Sequence, residues 1–222
     1  MADELLDNLS KSQAGQQVGG FAIAPGIVTN NIDLIGEGRV QVKISSRPAF
    51  EPWARIHALG GSASRGFLWI PQMGDEVLVA FAEDDLSSAY VLGGLWSTMN
   101  HPPASAPNDF LTKKIIKTGL TDVLGHQIEL DDALQSIIIT TSTDQKITLD
   151  PTKIELTNLA GSVMVQLDNE KQSVTISAVN KIELNAAISI ELNAAKIDMS
   201  AAEVSITSTG PCSVVGLPIK LN

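Results

Sequence analysis

The chain has 222 residues, with 25 acidic side chains against 15 basic ones and a formal charge of −10. That balance repels phosphate backbones and puts nucleic-acid binding at a disadvantage. A single cysteine, Cys212, excludes an intrachain disulfide and a cysteine zinc cluster, while the length allows one large domain or two small ones.

Residues 1–20 place Leu5 and Leu9 at i, i+4 among acids, which predicts one short helix followed by a flexible SQAGQQVGG stretch. Asp3 and Glu4 stand where a signal peptide would carry positive charge. No run approaches the ~18–20 apolar residues that span a bilayer. Neither a signal peptide nor a transmembrane segment is therefore expected.

Residues 21–100 read as β-structure. Arg39-Val40-Gln41-Val42-Lys43-Ile44 alternates strictly, and Ala54-Arg55-Ile56-His57-Ala58 does so too. Gly60-Gly61 marks a turn. Gly66-Phe67-Leu68-Trp69-Ile70-Pro71 is an apolar run read as a further strand, closed by proline. Glu76 to Ala82 is a nearly continuous buried strand, and Ala89 to Gly93 is the strand that returns. About five short strands in this span predict a small closed barrel. The proline-rich residues 101–112 read as an extended linker.

Residues 113–222 differ in kind. Every aromatic residue of the chain lies at or before Phe110. A core of ordinary width normally uses aromatics, so this half is predicted to have a narrow, repetitive interior. Its unit is an apolar-x-apolar triplet: Ile147/Leu149, Ile154/Leu156, Val165/Leu167, Val174/Ile176, Ile182/Leu184, Ile190/Leu192, Ile197/Met199 and Val204/Ile206. Side chains alternate across a strand, so both apolar members of a triplet face one way and the polar residue between them faces the other. Such units bury a continuous core only by stacking.

Two architectures satisfy the repeat. A single-chain β-helix of ~22 residues per coil rises ~4.8 Å per coil and makes a stub of ~24 Å, whereas three chains wound together make a needle of ~65 Å. The wholly aliphatic interior favours the second.

The catalytic and ligand-binding motifs are weak. Gly36-x-Gly38 lacks the third glycine of a dinucleotide fingerprint and precedes a strand, so it reads as a turn. Trp53, Phe67 and Trp69 could form a base-stacking platform, but that needs a basic groove, and residues 1–112 carry six basic against twelve acidic side chains. No nucleophile elbow, zinc-helix motif or phosphate loop is present, so no enzyme activity, cofactor, metal or nucleic-acid partner is expected.

Several strings together resemble a known family. Pro25-Gly26-Ile27-Val28 through Gly38-Arg39-Val40-Gln41-Val42 is similar to the first strands of the OB-fold of phage baseplate spikes and of the spike part of type VI valine-glycine repeat proteins. Trp53-Ala54-Arg55-Ile56, Gly66 to Pro71, Gly74-Asp75-Glu76-Val77-Leu78-Val79-Ala80-Phe81 and Tyr90-Val91-Leu92-Gly93-Gly94-Leu95-Trp96 follow in the family's order. Gly125-His126-Gln127-Ile128-Glu129-Leu130-Asp131-Asp132 resembles the segment that leads into their β-helix.

The resemblance implies an all-β homotrimer, an N-terminal OB-fold barrel followed by a C-terminal intertwined triple-stranded β-helix. It implies a structural cell-puncturing spike of a contractile injection machine, assembled in the cytoplasm and carried in a phage-tail-like particle. The axial core would be Ile147, Leu149, Ile154, Leu156, Val174, Ile176, Ile182, Leu184, Ile190, Leu192, Ile197, Met199, Val204 and Ile206. Val214, Val215, Pro218, Ile219 and Leu221 would contact a PAAR-type tip protein. The large hub domains of the valine-glycine repeat proteins are missing before the barrel, which implies a separate hub protein as a further partner; the target envelope is met transiently. Residues 98–112 are too short for the lysozyme domain that some spikes insert. His57, His101 and His126 all lie far from the C-terminus, so an apical His-x-His iron site is not implied. The alternative reading is a β-helical adhesin or binding module of a tail fibre, which would want exposed aromatics on the repeat.

Overall fold

The structure, a computed structural model, describes residues 22–82, 85, 87–104, 106–119 and 124–219. The helix expected within 1–20 and the terminal Leu221 lie outside them. The chain divides into two units, 1–180 and 181–222.

Five strands close a barrel in the first unit: β1 (Ala22–Asn30), β2 (Arg39–Ile44), β3 (Trp53–Ile56), β4 (Glu76–Phe81) and β5 (Ala89–Gly94), in the order β1-β2-β3-β5-β4. The long β1 makes closure possible. Its first part pairs with β4, from Ala22↔Phe81 to Ile27↔Glu76, and its second part with β2, from Gly26↔Ile44 to Asn30↔Gln41. A short parallel contact, Arg55↔Tyr90 and Ile56↔Val91, seals the other side.

Alternation in the sequence becomes alternation in burial. Along β4 every second residue is buried, and the core is Val28, Val40, Val42, Ile44, Ala54, Val77, Val79, Phe81, Ala89 and Val91, none more than 3% exposed. Branched side chains suit a pleated wall and lose little rotamer freedom there. Each fully buried valine or phenylalanine contributes roughly 1.5–3 kcal/mol. Gly26 sits where β1 passes between its two partners, and a Cβ there would lie 2.5 Å from Val42 Cγ1 and 3.0 Å from the Lys43 carbonyl oxygen.

One expected strand is absent. Residues 66–71 form no strand; the Phe67 N–H donates to the Leu59 carbonyl at 3.0 Å, and the Phe67 ring stacks on Trp69. Pro71 has no N–H to give a ladder, and the run instead belongs to the long connection between β3 and β4.

After the barrel a short helix, α1 (Asp109–Thr112), ends the stretch read as linker. Seven strands follow: β6 (Lys113–Lys117), β7 (Gln127–Asp131), β8 (Ser136–Thr140), β9 (Lys146–Leu149), β10 (Lys153–Thr157), β11 (Met164–Asp168) and β12 (Ser173–Ser177). They make one open sheet in chain order, each antiparallel to the next. A winding repeat was expected from residue 113; up to residue 177 the single chain is instead an antiparallel meander. The turns explain this. Gln135, Asp144, Gly161 and Gln172 all take positive φ in the connections between strands, which reverses the chain tightly and returns it to its own neighbour.

In the second unit no strand or helix is assigned among the described residues 181–219. Ion pairs join Lys181 to Glu183 and Lys196 to Asp198. The six residues Ile182, Leu184, Ile190, Leu192, Ile197 and Met199 are all exposed, as are Val204 and Ile206.

Gly26→Ala is expected to destabilise the barrel by about 1–3 kcal/mol, the cost of overpacking a filled site. Urea unfolding followed by tryptophan emission would measure it, because Trp53, Trp69 and Trp96 all lie in the barrel region.

Candidate interaction surfaces

The register of the meander defines two faces. On one, the pairings Leu130↔Ile137, Ile137↔Leu149, Leu149↔Ile154, Ile154↔Leu167 and Leu167↔Val174 run as a single column across the strands. A second column runs Ile116↔Ile128, Ile128↔Ile139, Ile139↔Ile147, Ile147↔Leu156, Leu156↔Val165 and Val165↔Ile176. Both are unbroken aliphatic ladders. Their side chains stay 36–67% exposed wherever they rank among the exposed hydrophobics, because nothing in the first unit covers them. A depression of about 510 Å³ on this face is lined in part by Ile139, Ile147, Leu156 and Val165. An apolar patch of this extent marks a contact surface.

Of the residues expected to form an axial core, the sheet brings together Ile147, Leu149, Ile154, Leu156, Val174 and Ile176 on this face. The remaining eight lie in the second unit. Sequence reasoning left out Ile116, Ile128, Leu130, Ile137 and Ile139, which extend both columns; the alternation Ile128-Glu129-Leu130 was the available signal, whereas Ile115-Ile116 and Ile137-Ile138-Ile139 are unbroken apolar runs that mark no face. Among the tip-contact candidates, Val214 is 70% and Val215 92% exposed, Ile219 is 50% exposed, and Leu221 is outside the described residues.

The opposite face is mostly polar, with Ile115 and Ile138 on either side of Glu129, and it is cross-linked. Lys113 Nζ lies 3.1 Å from Glu129 Oε1 and 3.4 Å from Asp109 Oδ1. The Glu129 carboxylate, followed by Asp109, holds the Lys113 ammonium above its ordinary pKa. Lys153 Nζ meets Glu155 at 2.9 Å. Side chains at the strand ends close the hairpins. Asp131 Oδ1 accepts from the N–H groups of Ala133 (2.9 Å) and Leu134 (3.0 Å). Asp150 Oδ1 accepts from Thr152 and Lys153, and Asp168 Oδ1 accepts from Lys171. Hydrogen bonds from Thr152 and from the Lys171 N–H respectively pull these last two carboxyls below the usual range.

The barrel carries a second exposed apolar surface at the end where β1 finishes and β5 leaves. The β1–β2 connection presents Ile32, Leu34 and Ile35, with Leu34 94% exposed. Asp33 builds that loop. Its carboxylate is bonded to the Arg39 guanidinium through both oxygens (3.1 and 3.2 Å) and accepts from the N–H groups of Ile35, Glu37 and Arg39. The guanidinium hydrogen bond, aided by the backbone donors and opposed by desolvation, holds the Asp33 carboxyl far below the usual carboxylate range. Gly36 and Gly38 both take positive φ in this turn, as 78° and 71°, which suits the turn reading of that pair. The aromatic platform is only partly assembled: Phe67 and Trp69 stack at 5.8 Å, while Trp53 lies in β3 under the Arg39 guanidinium.

The described residues contain no cluster of three or more His, Cys, Asp or Glu able to hold a metal ion, and no helix long and apolar enough to cross a membrane.

Because the folded-state pKa of Asp33 is depressed, its contribution is present above the unfolded value of about 3.9 and is lost as pH falls through the folded one. Thermal stability of the barrel is therefore expected to decline below about pH 4. In Asp33→Asn the stability at neutral pH should be lower and the acid slope shallower; an unchanged slope would show that Asp33 does not set it.

A comparison with curated proteins finds no match for the chain. Residues 24–96, which span the barrel from β1 to just beyond β5, match the family described as the type VI secretion system/phage-baseplate injector OB domain.

Proposed function

We propose that three copies of the chain assemble into the central spike of a contractile injection machine, with the barrels as a collar and residues 113–219 as a stiff needle that pierces a target envelope when the sheath contracts. The observation that carries this reading is the pair of unbroken aliphatic columns on a sheet attached directly to an injector OB domain. Three such faces turned toward a common axis bury one another and leave the ion-paired faces in water. Aliphatic columns without aromatics fit the narrow interior that such closure leaves.

The second unit fits the same reading. Its triplets start 8, 7 and 7 residues apart from Ile182 to Val204, separated by small or polar stretches such as Asn185-Ala186-Ala187. Among the described residues of this unit none takes the positive φ found in four of the meander's connections. Strands from the other two chains would supply the missing ladder partners, giving an intertwined triple-stranded β-helix with Ile182, Leu184, Ile190, Leu192, Ile197, Met199, Val204 and Ile206 inside. Val214, Val215, Pro218, Ile219 and Leu221 would then meet a PAAR-type tip protein, and the barrels a separate hub protein. The role is mechanical; no reaction and no cofactor is part of it.

Light scattering on the purified protein tests the assembly. A solution mass of about 70 kDa, three times the 23.5 kDa chain, is expected; a mass near that of one chain would overturn the spike reading. The trimer is also expected to resist SDS at room temperature. Leu156→Asp, which places a charge in the middle of a column, should reduce the assembly to single chains while leaving barrel fluorescence unchanged.

A further inference from the structure

The apolar face of the meander is broken by charge at one corner. Lys114 pairs with Leu130 across β6 and β7 and so occupies the first position of the column that continues through Ile137 and Leu149. Asp132 follows β7 directly, and its N–H carries the ladder one step further by donating to the Thr112 carbonyl at 2.8 Å. Alternation from Ile128 and Leu130 puts Asp132 on this same face. The neighbouring charges are on the other face and already engaged: Lys113 is bonded among Asp109, Glu129 and Asp131. Lys114 and Asp132 are both exposed, and among the described residues neither forms an ion pair; the Lys114 ammonium only donates to the adjacent Lys113 carbonyl at 3.2 Å.

A cation and an anion at the corner of a surface that is otherwise Ile, Leu and Val need partners once that surface is covered. Leaving either one buried and unpaired is strongly unfavourable. A cyclic trimer supplies the pairing, because its interface is heterologous: a residue of one copy meets a different residue of the next.

We propose that Lys114 of one copy pairs with Asp132 of the next, so that three such pairs ring the axis at the start of the needle and fix the register of the three sheets. Aliphatic columns alone specify register weakly, since a slip by one strand still matches apolar to apolar. An oppositely charged pair at the first rung penalises every slipped arrangement. This inference rests on the trimeric reading above and deepens it by naming the contact that sets the alignment.

The test uses full-length chains in two reversed forms, Lys114→Glu and Asp132→Lys, with different mass tags, unfolded, mixed and refolded together. A trimer of either variant alone has three repulsive junctions. A mixed trimer has one repulsive junction and two attractive ones. Native mass spectrometry should show the ratio of mixed to single-variant trimers raised about fivefold or more above that of random mixing, the effect of relieving two junctions at surface-pair strength. The neutral forms Lys114→Gln and Asp132→Asn, whose mixed trimers regain one attractive junction but relieve no repulsion, should show a smaller enrichment than the reversed forms. Random mixing of the reversed forms would overturn the pairing between copies, as would failure of the mixture to assemble while the wild-type chain is trimeric. A monomeric wild-type chain would overturn the trimer itself, an outcome distinct from both.

Discussion

A single β-sheet layer has two faces, and the chain makes one of them from aliphatic side chains everywhere but the corner at Lys114 and Asp132. That is the constraint on which the rest of the molecule turns. A sheet with a dry face must bury it against another layer, yet residues 113–177 supply no second layer of their own. The hydrogen-bonded face-to-face register keeps Ile116, Ile128, Ile139, Ile147, Leu156, Val165 and Ile176 in line across all seven strands. Aligned in this way, they form a continuous stripe rather than scattered exposed residues, and a stripe asks for a matching surface. The opposite face carries the ion pairs: Lys113 reaches Glu129 on the next strand, and Lys153 meets Glu155 on its own.

The barrel obeys the opposite rule. Its apolar side chains turn inward on a closed surface, and Val40, Val42, Ala54, Val77 and Val79 are completely buried within one chain. Closure removes the free edges that an open sheet would expose. The barrel is thus self-sufficient, with Gly26 allowing β1 to serve two partners at close range. What it leaves outside is the loop carrying Ile32, Leu34 and Ile35, pinned by the Asp33 carboxylate. The two halves of the first unit therefore divide the work: one half is stable alone, and the other has stability to gain from association.

Much of this was legible in the residues. The strict alternation of Arg39 to Ile44 and the run from Glu76 to Phe81 became strands with the expected faces inward. The run Gly66 to Pro71 did not, because hydrophobicity alone does not distinguish a strand from a loop packed on its own aromatic rings, and the proline removed a donor. The meander was hidden for a subtler reason. The triplets from Ile147 to Val174 have the same apolar-x-apolar form as those after Val174, so periodicity assigns both to one architecture. The difference lies in the connections. Asp150-Pro151-Thr152, Asn158 to Gly161 and Asn169 to Gln172 are turn sequences that reverse the chain, and uneven triplet spacing accompanies them. The uncovered columns themselves could be foreseen, since side-chain alternation follows from strand geometry whatever the strand's neighbour. The identity of that neighbour could not.

The same triplet can thus serve two pairing schemes, and backbone chemistry decides between them. Every N–H and C=O must find a partner. Where Gln135, Asp144, Gly161 and Gln172 fold the chain back, the partner is the preceding strand, and the residues from 113 to 177 pair within one chain except along the outer edges of β6 and β12. Where the connection is Asn-Ala-Ala, at 185–187 and 193–195, no described residue takes a positive φ and no strand forms, and the apolar pairs are left exposed. On the trimeric reading, the self-paired sheets meet first through their columns and bring three unpaired tails into line. The tails then pair with one another along a common direction. The tight reversals of the first region and their absence among the described residues of the second would in that way order the assembly, with the part that pairs its own strands preparing the part that does not.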